Sequence, residues 1–271
     1  MRILILGSNG MLGSICKKYF IDKKYIVNTF DKYFSFDQSE DYFNELKSYN
    51  SDLIINCIGK IKQKTDNFSD LMTINSVYPN LLSMKKNKGS ILVQPSTDCV
   101  FAGDLKNRFY QITDFKDAVD AYGLSKAFGE NALANRNDVL VLRGSIIGLV
   151  KGKSESLMDW FLAHSDGDTV DGYDNHLWNG ITTLQWCKCL ELLINHGLLS
   201  QGNFFQFGTE FMQSKYYLLE KINLSFKRNI LINPVNTSES INRCLKSNFP
   251  YVIPPIEEQL DELYSYFNDI D

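Results

Sequence analysis

Tyr122 and Lys126 stand four residues apart within residues 121–130, and both side chains can take part in proton transfer. In a helix this spacing places them on one face. An ammonium beside a phenol favours the phenolate, and lowering a tyrosine pKa from about 10 toward about 7 takes roughly 4 kcal/mol of differential stabilisation. Lys126 is expected to supply part of it. A solvated Tyr/Lys pair on a helix surface has the same spacing, so the surrounding elements decide between the two interpretations.

A strand, a glycine-rich loop and a helix are predicted at the start of the sequence. Residues 2–6 form a short apolar, partly β-branched run, and Gly7, Gly10 and Gly13 precede a helical pattern. In such a unit Gly7 permits the tight turn, Gly10 lets the backbone approach a pyrophosphate, and Gly13 allows close helix–sheet packing. The phosphates would lie at the positive end of the helix. The spacing predicts a bound dinucleotide, and a glycine turn without a ligand is the alternative.

Apolar runs alternate with helical stretches over the first part of the chain. The predicted strands lie near 2–6, 25–30, 52–58, 90–95 and 138–143, and the predicted helices near 69–86 and 122–135. This alternation predicts an α/β fold, a doubly wound parallel sheet of the Rossmann type, which binds ligands at the carboxyl ends of its strands. The candidate residues follow those strands in turn: Gly7, Asp31, Ile58-Gly59, Ser96-Thr97 and Gly144-Ser145.

The pattern loosens from about residue 150. Helices are expected near 157–164, 182–196, 214–223 and 256–268, strands near 203–207 and 229–232, and a polar loop over 165–179. No Pro/Ser/Gly-rich linker separates the two parts. We therefore expect a dinucleotide-binding domain over 1–150 and a smaller substrate-binding lobe over 151–271, with some segments of the lobe returning to the sheet and the substrate between them.

Composition narrows the class of protein. The 271 residues carry a net charge of −4, so no basic surface predicts a nucleic-acid partner. The first strand begins at residue 2, which argues against a signal peptide, and no apolar run reaches the ~20 residues of a membrane span. The six cysteines suit a reducing compartment, so a cytoplasmic protein is expected. Cys187-Lys-Cys189 lacks the spacing of a zinc site, and no metal is expected.

Together, the glycine loop, the segment Ser96-Thr-Asp-Cys-Val-Phe101 and the Tyr122/Lys126 pair resemble the extended short-chain dehydrogenase/reductase superfamily. Within it the chain is most similar to the dTDP-4-dehydrorhamnose reductase family of nucleotide-sugar reductases. Further matching segments are 52–56, Asn75, 142–145 and 178–183. The resemblance runs in family order over about residues 1–150. It implies NAD(P)H-dependent reduction of the 4-keto group of a nucleotide-diphosphate-linked deoxy sugar, in surface-polysaccharide biosynthesis. A homodimer is one assembly that the resemblance allows.

The resemblance also implies catalytic roles. Reduction of a ketone needs a hydride from the dihydronicotinamide and a proton for the oxygen. Tyr122 is the expected proton donor, Lys126 holds the nicotinamide ribose, and the Thr97 hydroxyl hydrogen-bonds the carbonyl oxygen. The distance of twenty-five residues from Thr97 to Tyr122 matches the family. Asn75 resembles the family's helix asparagine, or is a buried amide that joins helix to sheet.

Asp31 bears on the choice of cofactor. It follows the glycine loop by about eighteen residues, where an acid binds the ribose hydroxyls and repels a 2′-phosphate, which favours NADH. Lys32 could offset that repulsion. Asp37 resembles an adenine-contacting acid of the family, or is a helix N-terminal carboxylate. The residues predicted to contact the cofactor are Gly7, Asn9, Gly10, Met11, Leu12, Gly13, Asp31, Lys32, Cys57, Ile58, Gly59, Asn75, Tyr122 and Lys126.

The substrate side is predicted from fewer signals. Trp178, Asn179 and Thr182 offer a flat apolar face and hydrogen-bonding groups, or else form a loop that enters a helix capped by Thr182. Arg143 or Lys151 is expected to meet a diphosphate. The residues predicted to contact the substrate are Thr97, Cys99, Arg143, Ser145, His176, Trp178, Asn179 and Thr182. The sequence does not identify the nucleotide base.

Alternative activities differ at Cys99. The related GDP-fucose synthases carry a cysteine here that exchanges protons beside the keto group. A stabilised thiolate at Cys99, with His176 as the opposite proton donor, would make the chain a nucleotide-sugar epimerase or a combined epimerase-reductase. A small residue that leaves room for the sugar is the plainer interpretation. A dehydratase is disfavoured, because Asp98-Cys99 stands where an Asp-Glu pair is expected. A non-catalytic dinucleotide-binding regulatory subunit is the remaining alternative.

Overall fold

A parallel sheet of six strands forms the centre of the computed structural model, which describes residues 1–62, 65, 67–150, 156–200 and 204–268. Its strands are β1 (Arg2–Leu6), β2 (Ile26–Phe30), β3 (Leu53–Asn56), β4 (Ile91–Ser96), β5 (Val139–Arg143) and, from later in the chain, β10 (Phe204–Gln206). They lie in the order β10-β5-β4-β3-β1-β2, and all neighbours are parallel. The Rossmann-type fold expected from the sequence is confirmed.

Helices cover both faces of the sheet. They are α1 (Met11–Asp22), α2 (Ser39–Ser48), α3 (Phe68–Met72), α4 (Tyr78–Lys85), α5 (Ala121–Leu133), α6 (Leu157–Leu162), α7 (Thr183–Asn195), α8 (Lys215–Ser225) and α9 (Ile256–Asn268). Alternate residues of β1 serve the two layers: Ile3 and Ile5 pack in the core with α1 and α7, whereas Leu4 and Leu6 pack in the core with α2 and α4. Burying each such side chain contributes roughly 1.5–3 kcal/mol. Because both faces are covered, the inner strands β1, β3 and β5 are apolar except for one residue at an end.

The helix predicted over 69–86 is interrupted. A π-helical turn, Thr73–Val77, separates α3 from α4 and contains Asn75. Gly129 of α5 packs directly against this turn, since a Cβ at Gly129 would lie 2.2 Å from the Asn75 carbonyl oxygen. The missing side chain therefore lets the two helices approach closely beside the cleft described below.

The later part of the chain forms small sheets and also returns to the central one. Its strands are β6 (Ile146–Ile147), β7 (Thr169–Tyr173), β8 (His176–Trp178), β9 (Ile181–Thr182), β11 (Gln213–Ser214), β12 (Leu231–Val235) and β13 (Ile241–Asn242). Residues 165–179, predicted as a polar loop, instead contain β7 and β8. These strands pair with β12, β11 and β13, which are distant in sequence. Strand β10 extends the central sheet beyond β5. Along the described residues, no helix has the length and apolar character needed to cross a membrane.

Candidate active site

A cleft of about 440 Å³ opens at the carboxyl ends of the central strands, between the glycine loop and the first turns of α5. The predicted residues that line it are Gly10, Met11, Leu12, Cys57, Gly59, Asn75, Thr97, Cys99, Tyr122, Lys126 and Ser145. The predicted cofactor residues outside this lining are Gly7, Asn9, Gly13, Asp31, Lys32 and Ile58. The structure thus brings the expected proton donor and part of the glycine loop to the edge where such sheets bind ligands.

Tyr122 is held beside Thr97 by a close helix–turn contact. Asp120 caps α5 by accepting from the Gly123 amide at 2.7 Å, and a Cβ at Gly123 would lie 2.1 Å from the Cys99 carbonyl oxygen. Burial, with a smaller effect of the neighbouring Cys99, raises the pKa of Tyr122, although its hydrogen bond with Thr97 acts in the opposite direction. The phenol therefore stays protonated at neutral pH, which suits a proton donor.

The Thr97 hydroxyl has its own partners. It donates to Asp98 Oδ1 at 3.0 Å and accepts from the Cys99 amide at 3.2 Å, which makes Thr97 the cap of the short turn 98–100. To donate to a substrate oxygen, the hydroxyl would have to turn away from Asp98.

Lys126 does not lower the pKa of Tyr122 as expected. Its ammonium donates to the Pro95 carbonyl at 2.8 Å, and burial lowers the pKa of Lys126 to about 8, against the attraction of Glu130. The expectation is wrong because a sequence pattern gives the shared helix face but not the burial of the two groups, which raises the pKa of Tyr122 and lowers that of Lys126. Lys126 still lines the cleft with Tyr122.

The glycine loop has the geometry that its spacing predicts. Gly7 has φ +72°, and a Cβ at Gly13 would lie only 2.1 Å from the Gly7 carbonyl oxygen. Gly10 precedes α1 without a side-chain cap, so the first amides of α1 have no side-chain acceptor at this position. Asn9 is exposed in the loop, whereas Ile58 packs against Gly7.

Asp31 and Asn75 both have partners within the protein. Asp31 accepts from the amide and the hydroxyl of Ser8, at 2.6 and 2.7 Å, which fixes it against the glycine loop. Its neighbour Lys32 is ion-paired with Glu45. Asn75 accepts from the Lys60 amide at 3.0 Å and donates to Ser125 Oγ at 2.9 Å. These contacts agree with the alternative interpretation of Asn75, a buried amide that joins helix to sheet.

The structure contradicts the predicted contact of Arg143 with a diphosphate. Its side chain is buried and bonds Glu130 through two nitrogens, at 2.9 and 2.6 Å. A third nitrogen donates to Gln206 Oε1 at 2.6 Å, and the rings of Phe101 and Phe204 lie over the guanidinium. The guanidinium is therefore ion-paired and hydrogen-bonded within the protein. Lys151, the other cation proposed for this role, lies outside the described residues.

Three further predicted substrate residues are also part of the core. Trp178 is buried and donates to Ser145 Oγ at 2.8 Å, and Asn179 is buried with its amide donating to Thr209 and Leu245 carbonyls. Thr182, fully buried, caps α7. The alternative interpretation, a loop entering a capped helix, is therefore correct for this segment.

His176 is not among the residues that line the cleft. Its Nε2 is 2.8 Å from Thr237 Oγ1, and its ring packs against Tyr173. Its predicted contact with the substrate and its role as the opposite proton donor stay predictions that this geometry does not support. The sequence placed the whole segment 174–178 over the substrate, but β8 turns this side chain toward the loop that contains Thr237.

Cys99 lines the cleft as a neutral thiol. Its sulfur is 3.8 Å from Asp98 Oδ1 and 3.9 Å from an Arg243 nitrogen. Burial, followed by the charge of Asp98, raises the pKa of Cys99 to about 12. The expected stabilised thiolate is therefore contradicted.

Of the residues that the sequence missed, Lys60 and Lys62 line the cleft and could have been found, because they follow strand β3.

The family described as "RmlD substrate binding domain" matches residues 1–157. A dTDP-4-dehydrorhamnose reductase of Mycolicibacterium smegmatis is 29% identical over 146 residues, which cover 52% of this chain and 44% of that protein. The match thus spans less than half the length of that relative.

Solved structures of the same description share the fold over nearly the whole chain. A dTDP-4-dehydrorhamnose reductase from Bacillus anthracis in complex with NADP has a TM-score of 0.84 at 18% identity, covering 98% of this chain and 99% of that one. A Clostridium acetobutylicum ortholog has a TM-score of 0.76 at 20% identity, covering 99% and 100%. At these identities the likeness shows the fold. Because the family match extends over more than half of the sequence, this chain belongs to the RmlD substrate binding domain family.

Proposed function

We propose that this chain uses NADPH or NADH to reduce the 4-keto group of a nucleotide-diphosphate-linked deoxy sugar, in the biosynthesis of a surface polysaccharide. The observation that carries the proposal is the placement of Tyr122 and Thr97 in one cleft with Lys126 and the glycine loop. A dTDP-linked sugar is the first candidate, because relatives are named dTDP-4-dehydrorhamnose reductases. We place the activity in the cytoplasm, where such cofactors and sugar nucleotides are available.

The glycine loop fits the dinucleotide. No side chain caps α1 at Gly10, and a Cβ there would meet only the Gly7 carbonyl oxygen, at 3.5 Å, so this face of the loop is open. The free amides of a helix N-terminus favour a pyrophosphate. Gly10, Met11 and Leu12 would hold the phosphates, and Lys126 would hold the nicotinamide ribose. When bound, the reduced nicotinamide supplies the hydride.

The chain's own residues supply the proton and the orientation. Tyr122 holds its proton at neutral pH, because its pKa is raised by burial, and releases it to the oxygen that gains charge during reduction. Thr97 turns its hydroxyl from Asp98 to that oxygen and fixes its position. Proton transfer by a placed side chain of this kind contributes about 10²–10⁴-fold in rate.

We infer a preference for NADH over NADPH. Asp31 is anchored at the end of β2 by Ser8, where its charge would face a 2′-phosphate. Lys32, the cation that could offset the repulsion, is engaged by Glu45. The two cofactors therefore differ by one repulsive contact that the neighbouring lysine does not neutralise.

A panel assay tests the proposal. The protein is incubated with dTDP-, UDP-, GDP- and CDP-linked 4-keto-6-deoxy sugars, and reduced-nicotinamide absorbance and product structure are followed with NADH and NADPH. We expect reduction at C4 of at least the dTDP sugar, and loss of turnover in Tyr122→Phe. Tyr110→Phe is the matched control, because it removes a phenol hydroxyl from a buried tyrosine outside the cleft lining.

Other outcomes separate the alternatives. Cofactor binding without reduction of any sugar would contradict the proposal and indicate a regulatory subunit. Epimerisation without net consumption of cofactor would indicate an epimerase, which the neutral Cys99 disfavours. Equal loss of turnover in Tyr110→Phe and Tyr122→Phe would mean that the cleft hydroxyl has no special role.

A homodimer is proposed from one apolar surface. Val77, Met84, Leu124 and Phe128 are 39%, 61%, 37% and 50% exposed, on the π-helical turn, α4 and the adjoining α5. A second copy of the chain would cover this surface. Sedimentation should show a dimer that Phe128→Lys converts to a monomer, whereas Phe115→Lys, at a side chain 85% exposed elsewhere, leaves it unchanged. A monomeric wild type would contradict it.

A further inference from the structure

Glu130 places a buried carboxylate one helical turn beyond Lys126. Tyr122, Lys126 and Glu130 recur at intervals of four residues along α5, so they share one face of the helix. Tyr122 and Lys126 line the cleft, but Glu130 lies beneath it and is only 3% exposed. The proposed reduction does not use this carboxylate directly.

The carboxylate is fixed in its ionised form. Arg143 donates to both of its oxygens, and Lys116 Nζ lies 3.3 Å from Oε2. Burial opposes ionisation, but the hydrogen bonds and charge of Arg143 outweigh it, and the pKa of Glu130 lies below its usual value. Gln206, on the edge strand β10, accepts a hydrogen bond from Arg143. This contact fixes the guanidinium and, through it, the position of the Glu130 carboxylate.

Lys126 needs an opposing charge because its one protein acceptor is neutral. Within the part of the chain that the structure describes, its ammonium donates to the Pro95 carbonyl and to no carboxylate. Enclosing an ammonium without a counter-charge is costly, and the group then tends to lose its proton. The nearest buried anion on its own helix is Glu130.

Other titratable or charged groups also surround this part of the cleft. Asp98 and Cys99 lie on the turn after β4, Asp120 caps the helix, and Lys116 and Arg143 pair with Glu130. The two cations oppose the charge of Lys126, while the carboxylates support it. Glu130 pairs with Lys116 and Arg143, and its charge also attracts the ammonium of Lys126.

We propose that Glu130 is a positioning residue that keeps Lys126 protonated at neutral pH, while Arg143 fixes the carboxylate in place. The effect on turnover rests on the proposed function. The effect on the charge of Lys126 belongs to the folded protein alone and can be measured without a substrate. The pair therefore serves the chemistry of the cleft as well as the packing of α5 against β5.

Lysine side-chain NMR tests this proposal. In protein with ¹⁵N-labelled lysine, the Lys126 resonance is assigned with Lys126→Arg and followed through a pH titration. Glu130→Gln should lower the titration midpoint of Lys126 by about one pH unit, as expected for the loss of an opposite charge one helical turn away. Arg143→Gln should leave the midpoint unchanged or raise it, because it removes a cation and keeps the carboxylate.

The signs of the two shifts separate the proposal from a purely structural pair. A structural role predicts that both variants have the same effect, because each breaks the same ion pair. Asp138→Asn is the matched control, since it breaks the pair with Lys86, whose side chain is 2% exposed, as is that of Arg143. In Asp138→Asn, the titration midpoint of Lys126 should equal that in the wild type.

A milder variant guards against misfolding. Lys116→Gln removes a cation whose side chain is 20% exposed and leaves the Glu130–Arg143 pair intact, so the Lys126 midpoint should rise. An unchanged titration midpoint of Lys126 in both Glu130→Gln and Lys116→Gln would overturn the proposal. If Glu130→Gln does not fold, an unchanged midpoint in Lys116→Gln alone would overturn it. If no sugar is reduced but the midpoints move as expected, the proposed function fails and the role of Glu130 stands.

Discussion

Removing the charge of Lys126 should stabilise the protein while it abolishes activity. The pKa of Lys126 falls from its usual 10.5 to about 8. At about 1.4 kcal/mol per unit, holding this ammonium in the folded protein costs at most about 3 kcal/mol at pH 7. The side chain is partly exposed in the cleft, where water reduces the penalty, so we expect Lys126→Met to raise the free energy of unfolding by about 1 to 2 kcal/mol.

The gain should depend on pH in a definite direction. Between about pH 8 and 10.5 the unfolded chain holds the lysine proton and the folded chain does not, so the wild type gains stability as the pH rises through this window. The advantage of Lys126→Met should therefore be full at pH 7 and largely gone at about pH 10.5. Urea unfolding of both proteins at several pH values measures the difference, in which other titrating groups cancel.

The result that would refute this reasoning is equally definite. A variant less stable than the wild type at pH 7, or a stability difference that does not change with pH, would mean that Lys126 is not desolvated in the folded protein. Lys188→Met is the matched control: its side chain is 33% exposed and ion-paired with Glu262, so no gain in stability is expected.

Four further predictions concern the cleft. Tyr122→Phe should lower turnover by at least about a hundredfold with cofactor affinity nearly unchanged, as steady-state kinetics and calorimetry will show; normal turnover would exclude Tyr122 as the donor. Gly10→Val should fold, because Gly10 has φ −86° and free space, yet lose dinucleotide binding by calorimetry; retained binding would place the phosphates elsewhere. Asp31→Asn should raise the NADPH-to-NADH ratio of kcat/KM, and an unchanged ratio would mean that the charge does not face the ribose. Wild type incubated with 4-keto sugar in D₂O without cofactor should incorporate no deuterium, since Cys99 is a thiol; incorporation lost in Cys99→Ser would establish an epimerase step.

The central sheet could be predicted because its inner strands are buried on both faces. Residues 53–56 and 139–143 are wholly buried, and such strands are continuous apolar runs that a sequence displays directly. The order of the candidate residues after these strands then follows from the topology of a parallel sheet. Helix α2 was missed, because its buried residues, Tyr42, Phe43 and Leu46, are interspersed with charged residues.

The later part of the chain could not be predicted in the same way. Strands β7 and β8 pair with segments more than thirty residues away, and two-residue strands such as β11 leave no periodicity. Trp178 and Thr182 show why the substrate residues were mistaken: an aromatic ring and a threonine have the same sequence pattern in a binding loop and in a capped helix. Only the observed burial decides between them.

The charges in the cleft also depend on contacts that the sequence does not contain. The interval from Tyr122 to Lys126 correctly places both residues on one face of α5, but their pKa values depend on enclosure by β4 and its following turn. The charge of Arg143 predicts a diphosphate ligand, yet that charge is neutralised by Glu130, thirteen residues earlier in the sequence. A charged side chain predicts a ligand only when its partners are known.

Transfer of label to the sugar tests the central claim most directly. The protein is given NADH or NADPH that carries deuterium at the transferable position of C4, together with a dTDP-linked 4-keto-6-deoxy sugar, and the product is analysed by NMR. We predict one deuterium at C4 of the sugar for each cofactor oxidised, and almost none with Tyr122→Phe. Product without deuterium at C4, or no product from any sugar nucleotide in the panel, would contradict the assignment of this cleft as a ketone-reducing site.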